Sequence, residues 1–367
     1  MRRAACIFGV LAACNGTPDE GSGASSSSSE ITAIADTSTT IVATTTAAES
    51  TSTAPATIGD GSGDASESTG EPALGAPYPV VLVHGFFGFD ELGDLDAATY
   101  FFGVVDRLAE DGELAVYTPA LDPFNDSTVR GMQLVTHVEQ ILADTGHAKV
   151  NLVGHSQGGL DARVVASLRP ELVASVTTIA TPHHGTPIAD IVLGIVPDPN
   201  AQALADALAQ VLGGALWSEL DQNSSVAVAL AQLSTPGITE FNDTYPDSDG
   251  VVYRSIAGRS ALSAGGSECI VDDAPDWITA FDDARDPIDG ALALSSGVLA
   301  GDLLDPRAND GLVRVLDSRW GDFRGCVPAD HLDEVGQLFG DGPGLGNPWD
   351  HLELYAALVA ELRNDGY

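Results

Sequence analysis

The stretch Lys149-Val-Asn-Leu-Val-Gly-His-Ser-Gln-Gly-Gly-Leu160 decides how this chain reads. Its apolar run, Val150 to Val153, has the character of a buried strand, and a helical pattern follows that stops at Pro170. Between them lies Gly154-His155-Ser156-Gln157-Gly158, a G-x-S-x-G pentapeptide. Strand, tight turn and helix are the setting in which this pentapeptide means a nucleophile elbow. The turn strains Ser156 and crowds any side chain two positions away, which Gly154 and Gly158 relieve. The Ser156 hydroxyl then stands at the carboxyl end of the strand, and the Gln157 N–H points at the same spot. Gly and Ser are common in loops, so the flanks, not the pentapeptide alone, make the reading specific.

Outward from the elbow, strands alternate with helices. Tyr78-Pro-Val-Val-Leu-Val-His-Gly-Phe-Phe-Gly88 reads as a buried strand ending in His84-Gly85. Helices are predicted over Ala97 to Glu110, closed by Gly112, and Ser127 to Asp144, closed by Gly146, with a strand at Leu114 to Thr118 between them. Further strands are expected at Ser175 to Ala180 and Val251 to Ala257. This alternation predicts the α/β class: an open, mostly parallel sheet with helices on both faces. Attack of a serine on a carbonyl creates a negative oxygen that needs two preorganised donors. One is the N–H after the nucleophile, from Gln157, and the other comes from a loop after an early strand. The Phe86 N–H fits that second place, with His84 as a structural residue orienting the loop.

The 367 residues suffice for one large α/β domain plus an appendage, or for two domains. With 15 basic and 53 acidic side chains the net charge is −38, which excludes nucleic acid and anionic lipid as electrostatic partners. The same surplus of carboxylates is permissive for calcium without proving a site. Residues 1–14 look like an export signal: basic start, short apolar middle, small residues at the end. The apolar run is too short to span a bilayer. Its ending, Leu11-Ala12-Ala13-Cys14, resembles the lipobox of bacterial lipoproteins, which implies lipidation of Cys14 and a membrane-anchored, exported protein. An ordinary secretory signal is the alternative. Residues 15–72 are Ser, Thr, Ala, Gly and acid, too poor in large apolar groups to offset ordering entropy, and are expected to be a disordered tether. The folded domain is expected over 73–367.

Five blocks in order resemble the bacterial Pseudomonas-type triacylglycerol lipases: Tyr78 to Gly88, Val150 to Gly159, Leu172 to Gly185, Ala308-Asn-Asp-Gly-Leu-Val313 and Asp330-His-Leu-Asp-Glu-Val-Gly-Gln-Leu-Phe-Gly340. The resemblance implies an α/β-hydrolase fold and cleavage of carboxylic esters, with a lipid or ester as substrate. An activated serine needs a base and an orienting carboxylate, in the chain order Ser, acid, His. From the residues alone, Asp302, Asp305, Asp310, Asp317 and Asp322 are candidate acids, and His331 and His351 candidate bases. The resemblance selects Asp310 and His331, and makes His183 and His184 loop-packing residues. His331 also falls after an irregular Gly325 to Ala329, on a loop that can reach Ser156, whereas His351 falls in the first turn of a terminal helix.

The same resemblance implies a structural calcium near the triad histidine, with Asp286 and Asp333 as carboxylate ligands and main-chain oxygens at Gln337 and Asp341. It implies a lid over residues 188–235, where Ala201 to Leu216 and Val226 to Leu233 have a helical period. Relatives of this type often need a folding chaperone. Cys269 and Cys326 are the cysteines left after Cys6 and Cys14, and an exported chain is expected to pair them. That departs from the family, whose bridge uses a cysteine where this chain has Leu316. A terminal helix is expected from Asn347, as cap, to Arg363. The rival expectations are a short-chain esterase or acyltransferase of the same fold, and a surface-tethered binding protein; an intact Ser, Asp and His argue against the last.

Overall fold

The computed structural model describes residues 72–86, 100–211, 225–260, 266–302, 304–337, 340 and 342–367. Residues 1–71, where the sequence leads to the expectation of an export signal ending at Cys14 and of a tether, and Asp341 lie outside the described residues. Six strands form one sheet: β1 (Val80–Val83), β2 (Val116–Tyr117), β3 (Val150–His155), β4 (Val173–Ile179), β5 (Val252–Gly258) and β6 (Asp322–Val327). Their order is β2-β1-β3-β4-β5-β6, and every pair is parallel. The helices are α1 (Val104–Glu110), α2 (Ser127–Thr145), α3 (Gln157–Leu168), α4 (Pro187–Val192), α5 (Ala201–Val211), α6 (Ser225–Leu233), α7 (Thr235–Thr244), α8 (Asp276–Thr279), α9 (Ala293–Ala300), α10 (Val315–Ser318) and α11 (His351–Asn364). No helix among the described residues is long and apolar enough to cross a membrane.

Every residue of β1, β3 and β4 is buried, as a parallel sheet covered on both faces requires. Alternate side chains face opposite layers. Val80 and Leu82 pack with Val104 and Leu108 of α1 and Tyr355 and Leu358 of α11. Val81 and Val83 pack with Leu134 and Val138 of α2 and Val165 of α3. Each such side chain contributes about 1.5–3 kcal/mol by leaving water. α2 is closed as its sequence predicts, by Gly146 at φ 73°, and at its start Asp126 accepts from the Thr128 and Val129 N–H groups.

Four expectations about elements need correction. The segment expected to be irregular before His331 contributes its first residues to β6, an edge strand whose charged first half, with Asp322 and Arg324, disguises it. The first helix starts only at Val104, because Gly103 at φ 70° turns the chain beforehand; Ala97 to Thr99 are outside the described residues. β2 shrinks to two residues and leaves Leu114 exposed. The last helix is capped by Asp350, not Asn347. Asn347 instead donates to the Pro328 carbonyl and accepts the Trp349 N–H.

Candidate active site

The elbow is built from two close approaches. A Cβ on Gly154 would stand 2.5 Å from the Gly159 nitrogen, and one on Gly158 would run into the Val83 carbonyl of β1. With both positions bare, α3 starts directly against the strand ends. Ser156 takes φ 55°, ψ −130°, a strained conformation that lifts its side chain out of β3. Thr181 secures the turn by donating to the Ser156 carbonyl at 2.7 Å.

Three sequence candidates from distant segments meet here. His331 Nε2 lies 2.9 Å from Ser156 Oγ, and His331 Nδ1 lies 2.8 Å from Asp310 Oδ2. A carboxylate can only accept, so Nδ1 carries the proton and Nε2 is free to accept from the serine. Asp310 is held by the Leu312 and Val313 N–H groups on its other oxygen, and its carbonyl accepts the His331 N–H. His351 is elsewhere: its Nε2 contacts the Phe102 carbonyl at 2.8 Å. His183 is buried against Thr178 and stacked on Trp320, the packing role expected of it.

The loop carrying Phe86 passes beside the serine, since a Cβ on Gly85 would stand 2.7 Å from Ser156 Cβ. His84 fixes this loop. Its Nε2 accepts the Leu121 N–H at 3.0 Å, so its Nδ1 donates to the Gly85 carbonyl at 2.9 Å. Burial, aided by the nearby Arg130 charge, lowers its pKa to about 3 and keeps it neutral. Arg130 of α2, which sequence reasoning missed, donates to the His84 carbonyl at 2.6 Å and to Asp161 of α3 at 2.8 Å. That buried ion pair ties the loop that carries Phe86 to the helix that begins at Gln157. Burial pushes Asp161 up to about 6 even so. The Gln157 side chain is itself buried and donates to the Asn125 carbonyl.

Beside the base loop, carboxylate oxygens of Asp286, Asp330 and Asp333 lie within 4.8 Å of one another, all buried. Burial, then the Asp330 charge, pushes Asp286 up to about 7, and burial takes Asp330 to about 6. Asp286 Oδ2 is buried without a hydrogen-bond partner. Two of the three acids were sequence candidates; Asp330 was not. It accepts the N–H groups of Asp289, Leu332 and Asp333, so it shapes the loop. An all-oxygen, acid-rich donor set with an orphaned oxygen fits a hard divalent cation. Gln337 sits in the same loop, its N–H bonded to the Leu332 carbonyl. Cys269 and Cys326 form a disulfide, with Cα atoms 5.3 Å apart.

An elbow serine after the third strand of a parallel sheet, paired with a histidine and an acid in the order Ser, Asp, His, defines a serine hydrolase of the α/β-hydrolase class. Residues 78–249 match the alpha/beta hydrolase fold family. A triacylglycerol lipase of Vibrio cholerae is 38% identical over 273 residues, covering 72% of this chain and 81% of that protein. One of Pseudomonas fragi is 32% identical over 311 residues, 81% of this chain and 99% of its own length. The mature lipase BlEst2 of Bacillus licheniformis, at 21% identity, shares the fold with a TM-score of 0.52 over 79% of this chain and 93% of that one. The chain belongs to the triacylglycerol lipase family and is a carboxylic ester hydrolase.

Proposed function

We propose that this enzyme hydrolyses acylglycerols by acyl transfer through Ser156. The observation that carries the reading is the unbroken line Ser156 Oγ, His331 Nε2, His331 Nδ1, Asp310 Oδ2, at 2.9 and 2.8 Å. Ser156 Oγ attacks the ester carbonyl as its proton passes to His331 Nε2. Asp310 holds the ring and stabilises the imidazolium. The Phe86 and Gln157 N–H groups receive the oxyanion. His331 returns the proton to the leaving alcohol, and water, deprotonated by His331, releases the fatty acid and restores the serine.

Calcium is proposed at Asp286 and Asp333, where it would offset the mutual repulsion of buried carboxylates and pin the loop that carries His331. Residues 188–235, which include α5 and α6 and of which 212–224 lie outside the described residues, are proposed as the lid. Among them Gln232 of α6 accepts the Ser127 N–H at the start of α2. Export with lipid attachment at Cys14, and dependence on a folding chaperone, are proposals that rest on the family resemblance and the first fourteen residues. Mass spectrometry of the membrane fraction tests the attachment, and an unmodified amino terminus would reject it.

A chromogenic ester series from acetate to palmitate, hydrolysed by the full chain beside Ser156→Ala, tests the activity. The acylglycerol reading expects turnover to extend to the long chains and to vanish in the variant. Turnover confined to the shortest esters would replace it with a short-chain esterase.

A further inference from the structure

Three buried polar side chains beneath the triad belong to none of the steps above. Tyr100 Oη lies 2.8 Å from His155 Nδ1, and His155 Nε2 lies 2.9 Å from Glu334 Oε2. His155 and Glu334 are 1% and 0% exposed. Both ring nitrogens of His155 are therefore occupied, and neither can serve a substrate. Each residue comes from a different working part. His155 immediately precedes the nucleophile. Glu334 lies on the base loop, three positions after His331. Tyr100 presses on the oxyanion loop, where a Cβ on Gly85 would come within 2.6 Å of its hydroxyl.

We propose that Tyr100, His155 and Glu334 form a positioning chain that holds the oxyanion loop, the nucleophile and the base loop in one register. It rests on the reading of Ser156 and His331 as nucleophile and base. The His155 ring lies against the His331 ring, with centroids 4.6 Å apart, so a shift of one displaces the other relative to Ser156. Two neighbouring hydrogen bonds, one of backbone and one from a side chain, join the same parts: the Phe102 N–H donates to the Val335 carbonyl and Gln337 Nε2 to the Tyr100 carbonyl. Stability alone does not account for the arrangement. Glu334 Oε1 is buried without a hydrogen-bond partner, which costs free energy that an apolar side chain would not. A hydrogen-bonded chain does what an apolar contact cannot, because it fixes direction as well as distance.

Steady-state kinetics and thermal melts of Glu334→Leu, Glu334→Gln and Tyr100→Phe test this, with wild type and Ser156→Ala alongside. Misplacing reacting groups by about 1 Å can cost about 10²-fold. Glu334→Leu should therefore lose about that much kcat with KM changed by less than about twofold, and a single cooperative melt should show that it folds. Glu334→Gln can still pair with His155 and should stay within about threefold of wild type. Tyr100→Phe, which removes one oxygen, should lose about tenfold, the worth of one hydrogen bond; it decides the matter if Glu334→Leu does not fold. The rate of labelling by an alkyl fluorophosphonate, which reports how well His331 and the oxyanion loop activate Ser156 without any turnover, should fall in step with kcat. Wild-type kcat in folded Glu334→Leu or Tyr100→Phe, beside an inert Ser156→Ala, would overturn the chain and leave the hydrolase reading standing. A wild-type protein inert on every ester would overturn both.

Discussion

Asp330-His331-Leu332-Asp333 and Asp350-His351-Leu352-Glu353 are almost the same tetrapeptide, and they do opposite things. The first lies between β6 and a short 3-10 turn, and its imidazole reaches the serine. The second opens α11, capped by Asp350, and its imidazole is spent on the Phe102 carbonyl. The aspartates differ as well. Asp330 is buried and gathers three N–H groups, while Asp350 is exposed and caps Leu352. A side chain's chemistry is set by where its backbone can aim it. A helix start fixes that aim before any substrate arrives.

Histidine removal gives the widest separation. His331→Ala should lower kcat by about 10⁴- to 10⁶-fold, the scale of losing a triad base. His351→Ala should keep most turnover and lose about 1–3 kcal/mol of stability, because the Phe102 carbonyl loses its donor. Equal kinetic losses in two folded variants would erase the contrast.

The aspartates come next. Asp330→Ala leaves three N–H groups without their acceptor and should cost about 2–4 kcal/mol by denaturant titration. Asp350→Ala removes an exposed cap and should cost about 1 kcal/mol. A larger cost at Asp350 would reverse the ranking. Calcium separates the segments again, since only the first adjoins a carboxylate cluster. A cation at about 100 times its Kd adds about 2.7 kcal/mol, so excess chelator should lower the melting midpoint by about 5–10 °C. Asp286→Ala should abolish that response while His351→Ala preserves it. An unmoved midpoint in chelator would remove the cation from the account.

A last contrast, read as a slope against pH, sets His331, which takes a proton during turnover, against His84, which burial keeps neutral. The folded pKa of His84 is about 3, below its unfolded value of 6.5. The unfolded chain therefore binds the proton more readily, and stability is lost as pH falls from 6.5 towards 3. One such group contributes a slope of up to about 1.4 kcal/mol per pH unit. His84→Gln should flatten the stability–pH curve by that amount over this window, and an unchanged slope would show that His84 is not the group responsible.

Much of the machinery could be read from residues because its signals are local. The apolar runs of β1, β3 and β4, the glycines around Ser156 and the Gly146 end of α2 each occupy a few consecutive positions. What escaped depends on distant partners. β6 mixes Asp322 and Arg324 with Phe323, Cys326 and Val327, and becomes a strand only beside β5. His155 stands in the most informative pentapeptide of the chain, yet its partners lie 55 and 179 positions away. Arg130 reaches its acid 31 positions on, with nothing in the intervening residues to announce it. Asn347-Pro348 imitates a helix start, and only the Pro328 carbonyl reveals that Asn347 is occupied otherwise.

The bond between Cys269 and Cys326 spans 57 positions, and the ring it closes contains Asp286 and Asp310 but neither His331 nor Asp333. Its consequence lies in the denatured chain. On the chain-entropy account, a ring of this size removes freedom worth about 4 kcal/mol from the unfolded ensemble. It also shortens a search. The path from Asp286 to Asp333 through the bond is about half the path along the backbone, and halving a loop eases its closure by about 0.6 kcal/mol. A chain oxidised before it folds thus meets its carboxylate cluster as near neighbours.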